Sequence, residues 1–278
     1  MNLTLVRHLW GVSEPFETVF PRIKALGFDA IETPICFYDA ATLARFEVER
    51  QRHALGLVVQ DFTCQWERNR SVEEHLASLR AKLTAALPLR PMLINFHSGA
   101  DCWRLPDMIR FHREAARITA DCPVPVIHET HRQRCLYSPW IAREILEAVP
   151  ELELAADFSH WVCVAERCLD DQLDIIRLAA SRTRHIHARV GYDQGPQVPD
   201  PRAPEYAQEV AAHERWWDLC WEAMRNRGIT ETTLTPEFGP APYLHTLPYT
   251  KAPVADLWDI CTWQAHRQRE RFRRMPHL

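Results

Sequence analysis

The sequence predicts a single (β/α)8 barrel that spans residues 1–278. Short β-rich runs alternate with amphipathic helical windows, and eight such pairs follow one another. Strands that alternate with helices are parallel and are joined by right-handed crossovers, and eight of these units close a barrel. The rival fold, an open doubly wound sheet, needs a glycine-rich phosphate turn after its first strand. The chain has only 8 Gly and no such turn, so the barrel is favoured.

Each predicted strand is a short apolar run, and glycine or proline residues mark where several helices begin or end. Gly27 and Gly56 stop the first two helices, and Pro139 suits the first turn of the fifth. The predicted strands are Leu3–Arg7, Phe28–Glu32, Leu57–Phe62, Met92–His97, Val124–Glu129, Leu152–Asp157, Thr183–Arg189 and Thr232–Glu237. The predicted helices are Phe16–Leu26, Ala41–Leu55, Val72–Leu87, Asp107–Ala120, Pro139–Val149, Leu169–Ala180, Pro204–Arg227 and Val254–Arg273. The proline-rich stretch Gly191–Pro204 is interpreted as a stiffened loop over the barrel mouth.

Composition excludes or disfavours several classes of function. Hydrophobic residues make up 46% and charged residues 25%, as in ordinary soluble domains. The net charge of −4 provides no bulk attraction to a phosphate backbone, which disfavours a nucleic-acid partner. No apolar run is long enough for a membrane span, and the first residues lack the apolar core of a signal peptide. The 9 Cys are scattered without a CxxC pair, which is typical of reduced thiols, so we expect a cytoplasmic protein.

Nearly every predicted strand ends in a side chain that can ionise. Active-site groups of (β/α)8 barrels lie at these carboxyl ends. Helix capping alone would explain any one of them, but capping would also favour Ser, Thr and Asn at these positions. The set therefore predicts a functional site, in which the first four strands contribute a substrate-binding or supporting rim. The groups at or just after the strand ends are His8, Glu32, Asp61, His97, Glu129, Asp157, His160, His187, Arg189 and Glu237.

The last four strands predict a metal site. Their ends carry three carboxylates and one imidazole: Glu129, Asp157, His187 and Glu237. Three oxygen donors and one nitrogen suit one divalent cation, which we expect to be Mn²⁺, Co²⁺, Mg²⁺ or Zn²⁺. His185 shares a strand face with His187 but lies deeper, so His187 is the predicted ligand.

Other strand-end groups are predicted to contact a substrate. His160 follows Asp157 by three residues and is expected to reach a substrate oxygen. Arg189 continues the face of His185 and His187 and suits a hydroxyl, carboxylate or phosphate. Glu32, His97 and His185 complete the expected polar contacts.

Glu129 and Glu237 are the predicted catalytic pair. Two carboxylates that flank a metal-bound sugar can remove a proton from carbon and return it, while the cation stabilises the enediolate. Four tryptophans near strand ends fit either barrel packing or a wall on which a sugar ring stacks, and Trp10 is the one taken as a substrate contact. The four are Trp10, Trp66, Trp103 and Trp161. Tryptophans on predicted helices are assigned to packing or to contacts between subunits of a homo-oligomer; they are Trp216, Trp217, Trp221, Trp258 and Trp263.

The strand-end set resembles the xylose isomerase-like superfamily of TIM barrels, which holds sugar isomerases and epimerases, inosose dehydratases and apurinic endonucleases. In its ketose 3-epimerase branch, Glu, Asp, His and Glu from strands five to eight hold the metal, and these match Glu129, Asp157, His187 and Glu237. The D-x-x-H signature matches Asp157 and His160, and His-x-His matches His185 and His187. His97 in NFHSG is similar to a fourth-strand His of many members. The resemblance implies a metal-dependent isomerase or epimerase of carbohydrate metabolism with a small polyhydroxylated substrate.

The sequence departs from the epimerase pattern at two positions. Cys135 stands where the epimerases carry a second Glu, and Asp193 stands where they carry a substrate-binding Arg. The same loop offers His131, Arg132 and Arg134, which suggests a more acidic or phosphorylated substrate. Three alternatives stay open: an inosose dehydratase-like lyase, a metal-dependent phosphodiester hydrolase, and a non-catalytic barrel that binds sugar or metal. The missing basic charge argues against the hydrolase.

Overall fold

Eight parallel strands close into a barrel in the order of the chain, which confirms the predicted fold. The computed structural model describes residues 1–67 and 69–275. The predicted domain, residues 1–278, therefore extends beyond the described residues at Arg68 and at 276–278. The strands are Asn2–His8 (β1), Ala30–Thr33 (β2), Gly56–Phe62 (β3), Leu93–His97 (β4), Val126–Glu129 (β5), Leu154–Ala156 (β6), Thr183–His187 (β7) and Glu231–Thr235 (β8).

Helices pack around the outside of the barrel, and most begin and end within a few residues of the predicted bounds. Several start with a side-chain cap; Ser71 and Glu74 form a reciprocal capping box. No helix of the described residues is long and apolar enough to cross a membrane. The helices are Phe16–Ala25 (α1), Ala40–Arg52 (α2), Val72–Ala86 (α3), Leu105–Thr119 (α4), Pro139–Ala148 (α5), Phe158–Ala165 (α6), Leu173–Ala180 (α7), Ala207–Asn226 (α8) and Leu257–Arg274 (α9).

Helix α6 is the element that the sequence did not predict. It begins directly after β6, where the Asp157 side chain accepts a hydrogen bond from the Ser159 backbone amide. Its residues, FSHWVCVA, are apolar on most sides, so they lack the one-sided periodicity that marks a surface helix. Because α6 starts at the strand end, it fixes Asp157 and His160 in the floor of the barrel mouth.

The interior of the barrel has two layers. The lower layer is a small apolar cluster of strand residues, which are Val6, Ala30, Val58, Leu93, Ile127 and Ala155. Two residues further along each of these strands, the side chain is polar. Since alternate strand residues point to the same face, these polar groups lie above the apolar cluster. They are His8, Glu32, Gln60, Asn95, Glu129 and Asp157.

Strand register also excludes one predicted rim residue. Asp61 follows Gln60, so its side chain points away from the barrel interior, towards helix α3. There it pairs with the ammonium group of Lys82, with 2.8 Å between Nζ and Oδ1. The expectation that Asp61 belongs to the rim of the site is therefore wrong.

The loop between β7 and α8 is tied to the rest of the barrel mouth. The buried Gln197 side chain donates to the Gly239 carbonyl (3.1 Å) and accepts from its amide (2.7 Å). Gly239 is required there, because an added Cβ would lie 2.1 Å from the Trp10 ring. The predicted loop over the mouth is thus a packed connection that holds the loop after β8 against Trp10.

Candidate active site

The four predicted metal ligands meet at the carboxyl ends of strands β5 to β8. One ligand atom from each of Glu129, Asp157, His187 and Glu237 lies within 4.8 Å of the others. All four side chains are buried. Three buried carboxylates around one imidazole repel each other, and neighbouring positive charge lowers the free-energy cost of burying them.

The His187 ring is oriented for ligation. Its Nε2 lies 3.0 Å from Glu32 Oε1. Its Nδ1 lies 3.1 Å from Glu237 Oε2 and 3.4 Å from Glu129 Oε2, and it makes no hydrogen bond. An imidazole that donates one ring N–H to a carboxylate presents the lone pair of the other nitrogen to a metal. Burial lowers the pKa of His187, but Glu237, Glu32 and Glu129 together raise it well above its ordinary value.

Glu32 and His185 lie beneath His187. Glu32 accepts hydrogen bonds from Thr235 and His187, and His185 bonds to Thr233 through Nδ1 (2.6 Å). Burial raises the pKa of Glu32, yet the two histidine rings outweigh it and lower the pKa below its ordinary value. Neither residue is among the described residues that border the cavity above. Their placement does not agree with the expected substrate contact and indicates that they support His187.

Two amides hold the glutamates, and the sequence reasoning missed both. Asn95 donates to Glu129 Oε2 (2.8 Å), and Gln60 donates to Glu237 Oε1 (2.8 Å). Glu129 Oε1 is buried and keeps no hydrogen bond. The signal in the sequence was strand parity, because both amides stand two residues after an apolar interior residue.

Arg189 brings a guanidinium to the edge of the cluster. It is buried, donates to the Asp157 carboxylate and lies 3.5 Å from Glu237 Oε2. It also contacts His160 Nε2 at 2.7 Å. Burial raises the pKa of Asp157 to about 6 even though Arg189 acts against the shift.

His160 and His97 occupy different positions. His160 is fully buried behind Arg189 and is not among the described residues that border the cavity, so its expected substrate contact does not agree with its placement. His97 does border the cavity, with Nε2 2.8 Å from Glu129 Oε2. The His131 ring lies between the two, 4.4 Å from the His97 centroid and 4.0 Å from that of His160.

A cavity of about 880 Å³ opens above the cluster. Glu237, Arg189, His97 and Gln60 form polar parts of its wall. Of the four strand-end tryptophans, Trp10 and Trp66 border the cavity, whereas Trp161 is fully buried in the core and Trp103 packs on His75. The aromatic residues around the cavity are Trp10, Phe16, Phe37, Tyr38, Phe62, Trp66 and Tyr243.

The loop after β5 differs from the expected anion site. Arg134 is buried and donates to the carbonyls of Thr63 (2.9 Å) and Gly99 (3.2 Å). Cys135 is fully buried, its thiol donates to the Ala100 carbonyl, and burial raises its pKa. Arg134 thus holds neighbouring loops together, and it borders the cavity together with Arg132 and His131.

The sequence model of the xylose isomerase-like TIM barrel family matches residues 20–195. The chain belongs to this family. No curated protein matches the sequence.

Solved structures of the same fold cover nearly the whole chain. The probable 3-DHS dehydratase AsbF of Bacillus anthracis is 14% identical, with a TM-score of 0.60 over 96% of this chain and 98% of its own. A xylose isomerase-like TIM barrel protein of Mycobacterium smegmatis in complex with magnesium is 12% identical, with a TM-score of 0.60 over 95% and 94%. D-allulose 3-epimerase of Methylomonas sp., in complex with D-allulose, is 12% identical, with a TM-score of 0.58 over 97% and 96%. At these identities the likeness shows the fold alone.

The residues of this family member fit a divalent cation. The donor set is three carboxylates and an imidazole, and these donors suit Mn²⁺, Mg²⁺, Co²⁺ or Zn²⁺. His187 Nδ1 and Glu129 Oε1 are buried polar atoms without a hydrogen bond, and both belong to this set. Buried polar atoms are rarely left unpaired, and a cation held by this donor set would give both atoms a partner.

Proposed function

We propose that the protein is a divalent-metal-dependent isomerase or epimerase that acts on a small polyhydroxylated carbonyl compound. The observation that carries the proposal is the buried pair Glu129 and Glu237, both within 3.4 Å of His187 Nδ1 at the base of the cavity. A divalent cation held by these three residues and Asp157 supplies the charge that polarises the carbonyl and hydroxyl oxygens of a substrate.

The side chains of the site transfer protons, bind the substrate and exclude water. Glu237 borders the cavity, so we assign to it the removal of a proton from the carbon next to the carbonyl. Gln60 fixes Oε1 of Glu237, while Oε2 lies 3.1 Å from His187 Nδ1, within the cluster. Glu129, held by Asn95, lies behind the cavity wall, so we assign to it the return of a proton to carbon through His97, which borders the cavity 2.8 Å from Glu129 Oε2. Arg189 binds a substrate oxygen from the cavity wall, and the aromatic residues above exclude water.

Dehydration is the second candidate. Elimination of water begins with the same proton removal but then needs an acid beside the leaving hydroxyl group. His97 borders the cavity and lies 2.8 Å from Glu129, and its imidazole supports this candidate as the acid.

Exchange of substrate hydrogen with solvent tests the proposal. The Mn²⁺-loaded protein is incubated in D₂O with a panel of ketoses and keto-inositols, and deuterium incorporation is followed by NMR. We expect incorporation into at least one compound and a loss of about 100-fold or more in Glu237→Gln, because the transferring carboxylate is gone.

Glu14→Gln is the matched control, since Glu14 also borders the cavity but pairs with Arg22 (3.1 Å) away from the cluster. It should keep the wild-type exchange rate. Exchange that survives Glu237→Gln, or a metal-loaded protein that exchanges none of the panel, contradicts the proposal. Loss of water without exchange back to carbon would favour the dehydratase.

A further inference from the structure

The outer part of the cavity is larger and more aromatic than a sugar ring needs. Its volume of about 880 Å³ lies near the top of the range for ligand sites, roughly 300–1,000 Å³. At ~30 Å³ for each water-sized group, it holds about twice the heavy atoms of a hexose. The polar cluster occupies only its base, so the outer part is available to a second portion of the ligand.

Aromatic rings line this outer part in two groups. Phe62 and Trp66 are nearly parallel, with 6.3 Å between centroids and 25° between planes, and Phe37 lies 6.1 Å from Phe62. Trp10 and Tyr243 form the other group, with 4.9 Å between ring centroids. Guanidinium groups already lie over two of the rings, those of Arg132 and Arg189 over Tyr243 and that of Arg134 over Phe62, so Trp66 and Phe37 offer the main stacking surface for a flat apolar group.

Two of these rings are left in water at the cavity mouth. Trp66 is 74% exposed and Phe37 is 52% exposed. Exposed apolar groups cost about 25 cal/mol for each Å², and clusters of them mark binding sites. The exposed Trp140, by contrast, lies apart from the cavity.

Three polar groups around the outer cavity already have hydrogen-bond or ion-pair partners within the protein. Thr33 Oγ1 lies 2.7 Å from the Tyr38 hydroxyl, Glu14 pairs with Arg22, and Arg134 donates to backbone carbonyls. A second sugar unit would lose its water here, and these three groups could bind it only by giving up a partner, which costs free energy. An aromatic group loses nothing of this kind and gains the stacking surface.

We propose that the cavity binds a two-part molecule in which an aromatic ring is joined to a sugar that carries the carbonyl group, so that aryl glycosides serve as non-reacting analogues of this ligand. Its oxygen-rich sugar portion lies at the base, beside Glu129 and Glu237, and its aromatic ring lies among Phe37, Phe62 and Trp66. The orientation of the sugar portion rests on the proposed function, whereas the aromatic subsite stands on the rings that line the outer cavity.

Paired ligands that differ only in the aromatic group test the subsite. Phenyl and methyl β-glycosides of D-glucose, D-galactose and D-xylose are titrated into the Mn²⁺-loaded protein by calorimetry, with saturation-transfer NMR to locate the contacted protons. We expect the phenyl compound of at least one pair to bind about tenfold tighter, which is ~1.4 kcal/mol. Saturation should be strongest on the phenyl protons.

Variants of the exposed residues at the cavity mouth test whether these rings cause the preference for phenyl glycosides. Trp66→Ala and Phe37→Ala should each reduce the phenyl preference to about threefold or less, because stacking surface is lost while methyl glycoside affinity is kept. Trp140→Ala removes an exposed tryptophan outside the cavity and should leave the preference unchanged. Since both mouth residues are exposed, their removal leaves the core intact.

The outcomes separate this inference from the proposed function. Equal affinity within every pair, or no binding of any phenyl glycoside, overturns the aromatic subsite even if ketoses exchange hydrogen. A phenyl preference that depends on Trp66 and persists in Glu237→Gln supports the subsite even if no ketose exchanges. A preference that is the same in Trp66→Ala, Phe37→Ala and wild type also overturns it.

Discussion

The lower and upper layers of the barrel interior are built by the same strands and differ in nearly every property. In the lower layer the side chains are aliphatic, as at Ile127 and Val58. Two residues later the same strands carry Glu129 and Gln60, which belong to the polar cluster or hold it. Burying apolar surface stabilises the fold, whereas burying carboxylates and imidazoles costs free energy unless they are paired. The comparison indicates that apolar burial in the lower layer offsets the free-energy cost of burying the polar groups of the upper layer.

The strongest test of this division changes one residue in each layer of strand β5. Ile127 is fully buried, so Ile127→Ala should lower the free energy of unfolding by about 2–5 kcal/mol. Mn²⁺ affinity of the folded protein should stay near wild type. Glu129→Gln should do the opposite: Mn²⁺ affinity falls by more than about 100-fold, while the free energy of unfolding without metal falls by less than in Ile127→Ala. Glu129 then loses its pairing with His97 and His187 but also its repulsion with the other carboxylates of the cluster.

Urea unfolding in the presence of a chelator and calorimetric Mn²⁺ titration supply the two measurements. The layers are not separable if Ile127→Ala weakens Mn²⁺ binding as much as Glu129→Gln does. A large loss of metal-free stability in Glu129→Gln would show instead that the carboxylate also supports the barrel.

The two layers were not equally visible in the sequence. Alternating strands and helices were enough to predict the barrel, and the ends of strands β5 to β8 indicated the residues that meet in the cluster. Strand β3 is the exception, because a search for ionisable groups at strand ends selects Asp61 and passes over the neutral Gln60 before it. Gln60 lies two residues after the interior residue Val58, so its side chain also faces the barrel interior. The structure places Asp61 beside Lys82.

Other features depend on contacts that one-dimensional patterns do not contain. Glu32 and His185 were expected at the substrate because they stand near strand ends, yet the barrel closes so that both lie under His187. Helix α6 has no polar face to mark it, because it packs into the protein on most sides. The aromatic mouth combines Trp10, Phe62 and Tyr243 from three distant segments, so only the folded chain reveals it.

The next test concerns the support beneath the cluster. Glu32→Gln should weaken Mn²⁺ binding by about 10–100-fold, since the loss of a carboxylate behind a ligating imidazole commonly has this effect. The physical reason is that Glu32 holds the His187 ring with Nδ1 towards the other ligands. Asp61→Asn is the control, because this strand-end carboxylate faces away from the interior. Equal effects of the two variants on Mn²⁺ affinity would contradict the role assigned to Glu32.

The smallest expected effect concerns the guanidinium beside the cluster. Arg189 pairs with Asp157 and lies 3.5 Å from Glu237, so it shares two carboxylates with the cation. Arg189→Gln keeps hydrogen-bond donors but removes the charge, and Mn²⁺ affinity should rise about tenfold, or ~1.4 kcal/mol. Without metal the variant should melt at a lower temperature, because the carboxylates lose their only neighbouring guanidinium among the described residues.

Arg132→Gln provides the matched comparison for Arg189→Gln. Arg132 also borders the cavity, but its hydrogen bond is to the Cys163 sulfur and its guanidinium lies over the Tyr243 ring. Its replacement should change Mn²⁺ affinity little, because no ligand of the cluster depends on it. Weaker binding in Arg189→Gln would reverse the interpretation: the guanidinium would then be needed to hold Asp157 in place, and the cost of burying the upper layer would be met by Arg189 as well as by the apolar layer below.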